Sequence, residues 1–148
     1  MSVSYDIFTN AFLDKVTEFD FPVTEYERNS MIDRYMKRSV SRFRKICKYD
    51  LSTTGDDLVR EFNIVISEED LEEIADIISE GMVFQWLSPY VNKQENLENV
   101  LNTRDFTAYS PSELLFRVRE RHERAQLNFR HRMREYSFNH GDISSLHI

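Results

Sequence analysis

Between Pro111 and Gly141 the sequence holds neither glycine nor proline, and its apolar residues recur at helical spacing. A continuous helix is the fold that best accepts such a segment. Ser110 is placed to cap it. Pro111 takes the first helical position, where a missing N–H is tolerated, and Glu113 completes a capping box. Helical from Pro111 to about Tyr136, the segment would be roughly 39 Å long at 1.5 Å per residue. Leu115, Val118, His122, Ala125, Phe129, Met133 and Tyr136 fall in one stripe, the expected core seam. His122 within it reads as a core histidine with a hydrogen-bond partner rather than as a metal ligand.

A second set on the same helix lies well away from the seam. Phe116, Leu127 and Phe138 are eleven residues apart, close to three full turns. One helix in a small monomer seldom buries two faces. This row is therefore expected to meet another subunit or a neighbouring helix, against the plainer reading of scattered exposed apolar residues. Arg117, Arg121 and Arg124 share a side, with Arg132 close to it. Glu113–Arg117 and Glu120–Arg124 have the acid-first spacing that contributes about 0.2–0.5 kcal/mol per pair. The arginines either form a solvated face held by such pairs or meet carboxylates of a partner.

Upstream, three glycines and three prolines in 148 residues again favour helices. The first helix is expected from about Ser4 to Val16 on Tyr5, Phe8, Phe12 and Val16, and Phe21-Pro22 stops it. The second opens on a Thr24/Glu27 capping box and ends near Lys48–Asp50. Ile32, Tyr35, Met36, Phe43 and Cys47 form its apolar stripe, opposite a basic face. Thr53 to Asp56 reads as a loop. Phe62, Ile64 and Ile66 alternate with other residues, so 61–66 has strand character, either pairing with another copy or serving as an extended link. The third helix starts at Ser67 with Asp70 as box partner, and buries Leu71, Ile74, Ala75, Ile78 and Met82. Gly81 within it costs about 1 kcal/mol relative to alanine. Pro89 breaks or kinks the chain beside Trp86, Leu87 and Tyr90. A short helix is expected from about Glu95 to Asn102. The expected fold class is all-α: a small helical bundle with a long C-terminal helix and an extended tail. Residues 1–138 make the helical domain and 139–148 the tail. Gly141 can supply a left-handed stop. Ile143, Leu146 and Ile148 offer anchors for docking, although a frayed terminus has the same composition.

Net charge is −7, which disfavours generic nucleic-acid binding. The charge is segregated. Arg34, Lys37, Arg38, Arg42, Arg44 and Lys45 belong to a basic stretch over 24–48, and Asp56 to Glu80 is acidic. The blocks either pair internally or present unlike patches to neighbouring copies. The single cysteine, Cys47, excludes an internal disulfide, suits a reducing compartment and reads as a small core residue. The N-terminus lacks a signal-peptide pattern, and no apolar run approaches the ~20 residues that cross a bilayer. Synthesis in a cytoplasm and no membrane partner are expected. There is no phosphate-cradling glycine loop, serine elbow or zinc-helix motif. His140, Asp142 and His147 have a spacing common by chance, and the carboxylates from Glu68 to Glu73 lack a calcium-loop pattern. No catalytic, cofactor or metal site is expected.

The run Asp105-Phe106-Thr107-Ala108-Tyr109-Ser110-Pro111-Ser112-Glu113-Leu114-Leu115 is followed by an Arg/Glu-rich helix. The run Tyr136-Ser137-Phe138-Asn139-His140-Gly141-Asp142-Ile143-Ser144-Ser145-Leu146 comes next. Together they resemble the C-terminal half of head–tail connector (adaptor) proteins from the necks of tailed bacteriophages. The resemblance covers roughly residues 100–148, and the rest only in general shape. It implies a virion protein, made in the host cytoplasm, that assembles as a homo-oligomeric ring beneath the portal protein. The ring receives a stopper or tail-completion protein and extends the channel through which genomic DNA passes without sequence-specific binding. It makes His140, Gly141, Asp142, Ile143, Leu146 and Ile148 a portal-docking arm. It makes Phe116, Leu127 and Phe138, with Arg117, Arg121 and Arg124, a subunit contact, and lets the acidic 56–80 stretch face the channel. The basic second helix leaves an alternative, a small phage-encoded DNA-binding regulator, though no helix-turn-helix glycine turn accompanies it.

Overall fold

Ser4 and Ser67 start helices because each hydroxyl accepts an otherwise unpaired N–H of the first turn, from Asp6 at 3.1 Å and Asp70 at 3.4 Å. The computed structural model describes residues 2–16, 25–91 and 111–140. In chain order it contains strand β1 (Val3–Ser4), helix α1 (Tyr5–Lys15), helix α2 (Glu25–Phe43), and strands β2 (Gly55–Asp56) and β3 (Glu61–Phe62). Helix α3 (Glu68–Leu87), a 3-10 turn (Ser88–Tyr90) containing Pro89, and helix α4 (Pro111–His140) follow. The helix expected at 95–102, the Phe21-Pro22 stop and the Thr24 cap lie outside the described residues, as does the side chain of Leu115.

The later turns of α3 are apolar nearly all round, and such a helix has to be surrounded. Ile74, Ile77, Ile78, Met82, Val83, Trp86 and Leu87 are all buried. Helices α1, α2 and α4 each pack against α3. Phe12 meets Trp86 edge-on at 6.0 Å, and Phe43 meets Tyr136 at 4.9 Å, so the aromatic residues of α1 and α4 close the core on either side. Cys47 packs half-buried against this core, and burial pushes its thiol pKa up.

Helix α2 ends at Phe43, short of the expected Lys48–Asp50, and two further expectations change. The fold is mostly helical but carries a small antiparallel sheet of order β1-β3-β2. Glu61–Phe62 pairs within the chain on both sides, Val3 with Phe62 and Gly55 with Phe62. It is neither a plain link nor a strand offered to another copy. Two-residue strands are too short to show alternation, which is why the partners of β3 left no pattern. Arg60, at φ 54°, turns the chain into β3. Its guanidinium forks onto Asp33 at 2.8 and 2.7 Å and reaches Asp6 at 2.7 Å, tying the hairpin to α1 and α2.

The second change concerns Gly81. A Cβ there would lie 2.2 Å from Ser39 Oγ and 2.8 Å from the Phe129 ring. Both neighbours are buried, and Ser39 is held by donating to the Ile78 carbonyl at 2.8 Å. The glycine lets α2 and α4 approach α3 together. Gly81→Ala is therefore expected to lower stability by about 1–2 kcal/mol, since overpacking outweighs the gain in helix propensity. Urea denaturation measures this, and a stabilised variant would contradict it.

Candidate functional site

Helix α4 is 30 residues long, about 45 Å, and extends four residues past the expected end at Tyr136. Its core seam is as the spacing indicated, with Val118, Ala125, Phe129 and Tyr136 buried. His122 is half-buried in that seam. It stacks on Phe84 with centroids 4.6 Å apart, and its Nε2 lies 3.1 Å from Ser88 Oγ. Burial lowers its pKa, so the neutral ring is favoured.

Phe116, Leu127 and Phe138 are 67%, 59% and 77% exposed. At 100° per residue they lie about 180° around the helix from the Val118–Tyr136 seam. Nothing within the described chain covers them. Their surroundings are charged: Arg124 pairs with Glu120 at 3.5 Å and His131 with Glu135 at 3.0 Å. Arg117 is exposed on the same half of the helix and, with Glu113, Phe116 and Glu120, lines a shallow groove. An apolar row bordered by residues of both signs is suited to binding protein rather than a small molecule.

Arg121, expected at the subunit contact, is instead held inside the chain. It lies 3.6 Å from Glu80, a carboxylate only 3% exposed. Glu80 also receives Lys15 at 3.2 Å and an N–H of Asn128 at 3.0 Å. Burial alone would raise the Glu80 pKa, but the Asn128 hydrogen bond and the Lys15 and Arg121 charges outweigh it and hold the carboxyl below its ordinary value. Arg132 likewise turns inward, 2.8 Å from Asp76. The sequence carries no signal for these pairings because the partners lie some forty residues or more away in the chain.

Asn139 and His140, assigned to the tail, are helical. His140 Nε2 sits 3.0 Å from Glu73 Oε2 and 3.9 Å from Asp70 Oδ1, and its ring stacks on Tyr136 at 4.4 Å. The Tyr49 hydroxyl donates to the other Asp70 oxygen at 2.6 Å and, as the main cause, lowers that carboxyl's pKa. One imidazole and two carboxylates with ligand atoms within 4.8 Å could hold a divalent cation. The contact is equally complete as a hydrogen bond between the end of α4 and the start of α3. Gly141, Asp142, Ile143, Leu146 and Ile148 lie outside the described residues.

Leu58 and Val59, 96% and 62% exposed in the turn before β3, form a second apolar projection. Neither stood out in the sequence, because both sit in a run without periodicity. No helix among the described residues is long and apolar enough to cross a membrane. Comparison of the chain with protein-family models, with curated proteins and with solved structures finds no match in any of the three.

Proposed function

We propose that this chain is a structural subunit of a tailed-bacteriophage neck, a ring-forming head–tail adaptor between the portal protein and a stopper or tail-completion protein. One observation carries the reading: the uncovered apolar row of α4, diametrically opposite the seam that builds the core. A helix that satisfies its own domain with one face and keeps three large apolar side chains on the other is suited to assembly. The resemblance of residues 105–146 to adaptor proteins supplies the identity of the neighbours. In this reading α4 is a rigid strut. His140, clamped on Glu73, fixes where the tail leaves it, and Gly141, Asp142, Ile143, Leu146 and Ile148 form the arm that docks on the portal.

Removing residues 141–148 while keeping His140 tests the arm. The truncated chain is expected to lose portal binding in a pull-down and to keep its far-ultraviolet circular dichroism. Portal binding equal to that of the full chain would show the arm assignment to be wrong. The exposed cations of α2 favour a second reading, a DNA-binding regulator. It requires duplex DNA affinity that falls steeply with salt, and no binding at low salt would exclude it.

A further inference from the structure

The two charged blocks of the sequence are only partly used inside the fold, and what remains lies on opposite sides of the molecule. Lys37 pairs with Asp57 at 2.5 Å, and Asp76 and Glu80 are taken by Lys15, Arg121 and Arg132. Among the described residues, Arg34 and Arg38 on α2 and Lys45 in the turn that follows it make no ion pair, nor do Glu68, Glu69 and Glu72 on α3, and all six are exposed. Helix α2 docks on α3 with Ser39 against the Ile78 carbonyl, and Met36, Ser39, Val40 and Phe43 are buried. Arg34 and Arg38 therefore face outward from α2, while Lys45 borders the cleft between the end of α2 and α4. On α3, Glu69, Glu72 and Asp76 lie about 120–180° around the helix from Ile78 at 100° per residue, so the acidic side faces away from α2. That side is an open groove of about 780 Å³ between α1 and α3, with Ile7, Leu71 and Ala75 beneath its carboxylates.

We propose that the basic face of α2 in one copy seats in the acidic α1/α3 groove of the next, head to tail. The inference rests on the reading of the chain as a ring subunit and names a charged contact between its copies that acts together with the outer apolar row of α4. Charge complementarity identifies the occupant: in a chain of net charge −7, a basic face unpaired among the described residues has the chain's own carboxylates as the nearest complement. Unlike patches on opposite sides make a heterologous contact, which propagates in one direction and closes into a ring when the rotation per copy allows it. A single self-complementary patch would stop at a dimer. The aliphatic stems of arginine and lysine suit the apolar floor, while their heads meet the carboxylates at the rim.

Two charge-reversed chains test this. One carries Glu68→Lys, Glu69→Lys and Glu72→Lys; the other carries Arg34→Glu, Arg38→Glu and Lys45→Glu. Sedimentation velocity on full-length protein is expected to show wild-type association that weakens at least tenfold between about 0.05 and 0.5 M salt. Each variant alone should be monomeric with unchanged circular dichroism. An equimolar mixture should associate again, because the reversed faces complement each other and the native faces still match. Association of either variant alone at wild-type strength, or no recovery on mixing two folded variants, would overturn the contact while leaving the portal-binding test of the tail intact. A wild-type chain that stays monomeric at every salt concentration, yet binds duplex DNA through α2, would overturn it in favour of a nucleic-acid face.

Discussion

Glu80→Ala is expected to lower stability by about 3 kcal/mol, because it leaves a buried guanidinium without its counter-charge. Arg121, with a side chain 18% exposed, has Glu80 as its ion-pair partner, whereas Lys15 retains Asp76. For a chain of this size, such a loss corresponds to a melting temperature lower by roughly 6–12 °C. The network joins α1, α3 and α4 through one carboxylate, so the effect should be global rather than confined to a helix end. Its pH dependence has a definite sign. The folded Glu80 carboxyl titrates below its ordinary value. Its contribution is thus present above the unfolded pKa of about 4.3 and is lost as pH falls through the lower folded value. Asp57, held down chiefly by the Lys37 hydrogen bond, and Asp70, by that of Tyr49, act in the same direction. Glu80→Gln should flatten the acid limb of a stability–pH curve relative to wild type without abolishing it. Thermal melts between neutral pH and the acid range check both statements. An Arg121 that tolerates Glu80→Ala at less than about 1 kcal/mol would show the network to be dispensable.

The second large effect concerns assembly and leaves the fold alone. Phe116→Ser, Leu127→Ser and Phe138→Ser combined should weaken subunit association about 1000-fold. Each side chain would withhold about 1.5 kcal/mol of apolar burial, and a total of about 4.5 kcal/mol is slightly over three decades in Kd. Because all three are exposed in the single chain, its unfolding free energy should change by no more than about 0.5 kcal/mol per site. This split separates a contact surface from a hidden part of the core. A triple variant that assembles normally, or one that fails to fold, would remove the row from the interface.

What was legible in the sequence follows from the range of each signal. Helices α1, α3 and α4 announced themselves through period and caps, which act over three or four residues. Ser67 caps α3 as its position suggested, Ser4 caps α1 where the helix was expected to begin, and Val118 through Tyr136 line the core. The outward row on α4 was legible for the same reason, since an eleven-residue repeat on a known helix fixes its direction. Long-range pairing left no such trace. The Glu61–Phe62 strand finds partners that are two residues long, and Arg121 finds Glu80 through a helix crossing that no local pattern encodes. Arg121 and Arg124 look alike in sequence and differ by about 60° around the helix, enough to send one inward to a buried carboxylate and leave the other at the surface. Gly81 shows the same limit with the opposite sign: a residue read as a helix defect is the point where two neighbouring helices come close.

Electron microscopy of the particle carrying this chain tests whether the outer face of α4 meets other protein subunits in a phage neck. The expected result is a ring of copies immediately beneath the portal, with Phe116, Leu127 and Phe138 buried against a neighbouring subunit and residues 141–148 against the portal. A neck without this chain, or a ring in which the three side chains face solvent, would contradict it.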